Sequence, residues 1–181
     1  MTARPTALFQ TDSFRDSRPL VVGPDQPESP FPVLLSGAVQ RGFGRGGKDL
    51  NCPTANLPDE AIEAISSVAQ PGVYYGYAQV PDAPSNEVWP MVMSLGWNPF
   101  YRNERLTAEI HVMHEYTADF YGLELRAVVL GYIRPELDFT TMEALIETIE
   151  TDKRVALNSL DREAYKTFAT HPHFTLKEQN I

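Results

Sequence analysis

The stretch GVYYGYAQVPDAPSNEVWPMVMSLGW, residues 72–97, decides the fold class. All but Gln79 of its first nine residues are aromatic, small or β-branched, and its last ten are mostly apolar. Between them lie Pro81, Asp82, Ala83, Pro84, Ser85, Asn86 and Glu87. Aromatic and β-branched residues suit a pleated, half-buried surface, and the middle residues suit a turn. The pattern predicts two strands, 72–80 and 88–97, paired as a hairpin. Pro90 has no N–H to donate, so it marks an edge or a bulge.

Working outward, 33–41 (VLLSGAVQR), 107–115 (TAEIHVMHE) and 124–133 (ELRAVVLGYI) read as further strands. No helices alternate with them, apart from a turn or two within 60–68. That favours an antiparallel barrel or sandwich over a doubly wound sheet. The period then changes. Met142, Leu145, Ile146, Ile149, Ala156, Leu157 and Leu160 follow helical spacing, so an amphipathic helix closes the domain. Thr140 and Glu143 fit a capping box at its start. Residues 1–32, interrupted by Pro5, Pro19, Pro24, Pro27, Pro30 and Pro32, read as an irregular N-terminal extension. The domain is expected over 33–165, with 166–181, including His171 and His173, as a tail.

The 181 residues carry 15 Lys+Arg against 24 Asp+Glu, a net charge of −9. That sign argues against a nucleic-acid partner held by many phosphate contacts, though not against one nucleotide. One cysteine, Cys52, allows no internal disulfide and suits a reducing compartment. No apolar run reaches the ~20 residues that span a membrane. The expected setting is a cytoplasmic monomer.

Residues 42–49, GFGRGGKD, meet GxGxxG and GxxxxGK by accident. Both motifs require a helix directly afterwards, but Pro53 arrives five residues after Lys48, and Asp49 stands where a Walker motif has Ser or Thr. What survives is a basic glycine loop. It fits a nucleotide flap, its glycines letting N–H groups approach a phosphate while Arg45 and Lys48 supply charge, or a plain surface hairpin. Thr54 and Asn56 put a hydroxyl and a side-chain carbonyl on one side of an extended segment. They suit magnesium, which prefers oxygen ligands, or a turn capped by its own side chains.

In 107–115, alternation sets Glu109, His111, Met113 and Glu115 on one face and Ala108, Ile110, Val112 and His114 on the other. Glu109 is either a general base facing a cavity or a carboxylate on the wet face of a sheet. His111 and His114 lie on opposite faces and are poorly placed to share a metal. Arg134, beside Pro135, suits a phosphate clamp, a flat-ring stack or a surface ion pair.

In order and spacing these segments resemble the riboflavin kinase family of eukaryotic type. The carriers are residues 37–48 (GAVQRGFGRGGK), 53–56 (PTAN), 72–76 (GVYYG), 94–101 (SLGWNPFY), 109–114 (EIHVMH), 119–122 (DFYG) and 131–136 (GYIRPE). The resemblance spans about residues 35–160. It implies a mainly β fold, a six-stranded antiparallel Greek-key barrel with a C-terminal helix. The implied activity is ATP-dependent phosphorylation of the riboflavin 5′-hydroxyl to give FMN and ADP, with Mg2+ as cofactor and Zn2+ or Mn2+ as alternatives. Carried over residue by residue, Glu109 is the catalytic base and Thr54 and Asn56 hold metal and phosphate. Gly42 and Lys48 belong to the nucleotide flap, His111 lies near the nucleotide, and Arg134 serves the flavin side. Two positions depart from the pattern: Asn51 where Gly is usual and Gly47 where Ser is common. The 32 residues of the extension leave no room for the adenylyltransferase domain fused in bacterial relatives, so FMN is the expected product. A flavin-binding barrel without catalysis would share the fold and have no need of Glu109.

Overall fold

A computed structural model describes residues 8–9, 12–41, 54–97, 105–139 and 141–175. In chain order the elements are β1 (Leu8–Phe9), α1 (Asp12–Ser17), β2 (Val33–Ala38), β3 (Ala55–Asn56), α2 (Asp59–Ser66), β4 (Gly72–Gln79) and β5 (Trp89–Trp97). There follow β6 (Leu106–Val112), β7 (Glu124–Arg134), β8 (Leu137–Asp138), α3 (Met142–Leu160) and α4 (Glu163–Lys166), then two 3-10 turns. No helix among the described residues is long and apolar enough to cross a membrane.

Six strands form one antiparallel sheet in the order β2-β7-β4-β5-β6-β3. The predicted hairpin is present, with Tyr75 opposite Val92 and Tyr77 opposite Pro90. The sheet curls until its edges meet: just past β2, Gln40 pairs with Asn56 of β3, its N–H donating to the Asn56 carbonyl at 2.9 Å. The expected six-stranded barrel with a closing helix is therefore what the chain forms, as a curled half-barrel. Pro90 differs from expectation, because β5 is an interior strand. It is tolerated as the second residue of that strand, where its carbonyl still accepts from Met113 N–H at 2.9 Å.

Strand alternation separates two apolar clusters. The concave side packs Leu35, Tyr74, Ala78, Met91, Met93, Leu95, Ala108, Ile110, Leu125, Ala127 and Val129. On the convex side Tyr75, Tyr77, Val92, Val128 and Leu130 meet Ala156 and Leu160 of α3, Tyr165 and Phe174. Helix α3 thus packs on β4, β5 and β7. Its cap is Thr141, whose hydroxyl accepts from Ala144 N–H at 3.1 Å, one residue later than the box read from Thr140 and Glu143.

Two stretches read as loose are packed. Residues 18–24 form a strap across α3. Val22 N–H donates to Ser159 Oγ at 3.0 Å, and the Arg162 guanidinium donates to the carbonyls of Val22, Gly23 and Pro24 at 2.8–2.9 Å. The Tyr75 and Tyr165 hydroxyls reach Val22 O and Pro24 O at 2.8 and 2.7 Å. At the other end, Phe174 is buried and His173 Nε2 lies 2.8 Å from Leu35 O, so His173 anchors the chain to β2 where the sequence suggested tail.

Candidate active site

Register builds the site. Residues directly opposite on antiparallel neighbours share a face, with Cβ atoms about 4.5–5.5 Å apart. Asn56 on β3 stands opposite Glu109 on β6, and Glu109 stands opposite Ser94 on β5. Asn56, Glu109 and Ser94 therefore form a row across three strands on the convex face. Alternation adds Thr54 and His111 to that face, while Ala55 and Ile110 point into the core at 3% and 1% exposure.

Part of the row is open to solvent. Val92 is buried beneath the helix, but Ser94, next on the same face, is exposed. Thr54, Asn56, Glu109 and His111 are half-buried. Asn56, Glu109 and His111 are each engaged by neighbours. The strip is polar, lined with oxygen donors, and floored by a rigid sheet. It is suited to holding an extended polar substrate beside a carboxylate.

Residues 39–41, just before the glycine loop in sequence, are held beside this strip. Gln40 is tied to Asn56, and Arg41 lies over the Tyr121 ring at 4.6 Å. Val39 exchanges backbone hydrogen bonds with Gly122 and Leu123 at 2.8 and 2.9 Å. Gly42 and Lys48, with the departures Gly47 and Asn51, lie outside the described residues.

His111 and His114 do point to opposite faces. His114 stacks on Trp89 with ring centroids 4.3 Å apart, in an aromatic group with Tyr116 and Phe120 at one end of the barrel. Burial pushes the Tyr116 hydroxyl up to about 12, with the Glu87 charge adding to it.

Arg134 lies in line with the row, two strands beyond Ser94: it stands opposite Val73, which stands opposite Ser94. It is 6% exposed and forks onto Asp152 of α3 (Nε to Oδ1 3.0 Å, Nη2 to Oδ2 2.9 Å), with Nη1 donating to Pro135 O at 3.0 Å. Asp152 also accepts from Arg18 Nη2 at 2.6 Å. Sequence reading assigned no role to Ser94, Asp152 or Glu136. A lone polar residue inside the apolar run 88–97 was the available signal for Ser94.

Thr54 and Asn56 fit a hard divalent cation. Both offer neutral oxygens from one face of one short segment, which is enough for magnesium that keeps waters and binds substrate phosphates. Among the described residues no group of three or more His, Cys, Asp or Glu could hold a metal, so a site here would lean on the substrate for its charge.

Comparison with known proteins identifies the family. The family profile described as riboflavin kinase matches residues 29–160. A riboflavin kinase of Pyricularia oryzae is 46% identical over 180 residues, covering 90% of this chain and 90% of the relative. One from Scheffersomyces stipitis is 44% identical over 177 residues, covering 84% of this chain and 98% of the relative. The crystal structure of riboflavin kinase from Trypanosoma brucei superposes with a TM-score of 0.68 at 28% identity, covering 85% of this chain and 96% of that one. The fold, the ordered motifs and these relatives agree: the chain belongs to the riboflavin kinase family.

Proposed function

We propose that the chain transfers the γ-phosphoryl of ATP to the ribityl 5′-hydroxyl of riboflavin, giving FMN and ADP, with Glu109 as general base. The observation that carries this reading is the row Asn56–Glu109–Ser94, which sets one carboxylate between two strands on the uncovered part of the convex face. Phosphoryl transfer asks a protein mainly for positioning and charge stabilisation. Thr54 and Asn56 hold the phosphate side, where bound Mg2+ would neutralise charge on the transferring group. His111 faces the same side, near the nucleotide. Gly42 and Lys48 belong to the flap over the phosphates. Glu109 accepts the hydroxyl proton as the oxygen attacks phosphorus. Arg134 contributes to the flavin side through the segment it anchors, since its own guanidinium is held by Asp152.

The test is incubation with riboflavin, ATP and magnesium, followed by separation of the flavins. FMN forming in proportion to enzyme is expected, with Glu109→Gln lowering turnover about 10²–10⁴-fold. Undiminished turnover in that variant would remove Glu109 as base.

A further inference from the structure

Glu136 takes no part in the reading above, yet the fold delivers its carboxylate to the face that carries Glu109. Gly96 lies two residues beyond Ser94 on the same face of β5, opposite Thr107 of β6. A side chain at Gly96 would collide with Glu136 Oε1. The carboxylate therefore lies over the Gly96 Cα, one same-face step of roughly 7 Å along the strand from the Ser94–Glu109 pair.

The route there is short. Strand β7 ends at Arg134 opposite Val73, and the chain then passes the start of β4 to lie against β5. It is held on both sides. Arg134 is forked onto Asp152, and Leu137–Asp138 pair with Leu8–Phe9. Glu136 is half-buried, engaged by neighbours, and borders the open part of the face.

Charge fixes which part of a substrate it meets. An ionised carboxylate only accepts hydrogen bonds, so it suits alcohol donors and repels phosphate. The neutral oxygens of Thr54 and Asn56 lie on the β3 side of Glu109, and Glu136 lies on the β5 side. The base thus stands between a phosphate side and an acceptor side. Resting on the proposed reaction, which sets the 5′-hydroxyl at Glu109, we propose that Glu136 accepts a hydrogen bond from a secondary hydroxyl of the ribityl chain and so selects the polyol.

The experiment is a cycle of two enzymes and four substrates: wild type and Glu136→Gln, each with riboflavin and with analogues lacking the 2′, 3′ or 4′ hydroxyl. The variant is expected to lose roughly 10–100-fold in kcat/KM on riboflavin. On one analogue it should lose less than about threefold, with the KM for ATP unchanged. Equal losses on riboflavin and all three analogues would overturn the proposal, because a purely structural Glu136 does not distinguish substrates. If Glu136→Gln fails to fold, Gly96→Ala displaces the carboxylate instead. It must show the same substrate pattern, and an even loss there overturns the proposal too. No FMN from wild-type enzyme would instead overturn the reaction on which the inference rests.

Discussion

Asp152 holds two guanidinium groups at once, from Arg18 and Arg134, with all three side chains 5–7% exposed. Removing it would leave two buried cations facing each other without their shared anion. Asp152→Ala is therefore expected to cost about 3–5 kcal/mol, measured as the loss of stability in urea unfolding. A loss under about 1 kcal/mol, the scale of an exposed pair, would show the triad to be solvated in solution. Thr54 offers a test of another kind. Thr54→Val keeps shape but removes the hydroxyl, so activity should fall even at saturating magnesium while the urea midpoint stays put. Wild-type rates would count against Thr54 as a ligand. Alternation alone could set Thr54 with Asn56, and Glu109 with His111, each on one side of its own strand, but joining the two pairs took the register of β3 with β6. The part of Asp152 could not be read, because its partners lie 18 and 134 residues away in sequence.

At the scale of the element, the strands of residues 72–97 and the long helix were legible because their periods of 2 and 3.6 run for many residues. The helix cap was misread by one position, since Thr140 and Thr141 offer the same hydroxyl and only the backbone decides between them. Thr141→Ala should cost about 1 kcal/mol of stability by thermal or urea unfolding. The strap was illegible for a different reason. It has no regular period, and main-chain groups make most of its hydrogen bonds. Arg162 gathers three of its carbonyls and lies over the Tyr165 ring at 4.2 Å. Arg162→Met should speed amide exchange at Val22 and raise protease cleavage near residues 20–24, while amides of β4 and β7 keep their protection. Unchanged exchange would mean that the tyrosine hydroxyls hold the strap without it. The open part of the convex face was equally hidden, because alternation cannot tell a wet face from a site until what packs on it is known.

Across the whole molecule, tyrosines link stability to pH. Burial pushes Tyr74 up to about 12, helped by Tyr132 and opposed by its hydrogen bond to Gln70 O. Tyr116 is likewise raised to about 12, and Tyr75 is raised by burial and by Tyr165. An unfolded tyrosine ionises near pH ~10. Above that pH the unfolded chain releases protons that the folded chain keeps, so stability falls. The contribution is whole below pH 10 and drains away as pH rises toward about 12. The urea midpoint should fall steeply across that window, and Tyr74→Phe should blunt the fall. A flat midpoint from pH 10 to 12 would mean that the phenols ionise without unfolding.

The strap also sets an order in time. Residues 18–24 leave the ribosome early, but the groups that hold them lie as many as 141 residues later. At about 5–20 residues per second, the lead-in waits on the order of ten seconds for its partners to be made. A nascent chain halted before α3 would present the outer faces of Tyr75, Tyr77 and Leu130 with nothing to cover them. Residues 18–24 are thus among the late ones to settle, fastened only after Ser159, Arg162 and Tyr165 have emerged.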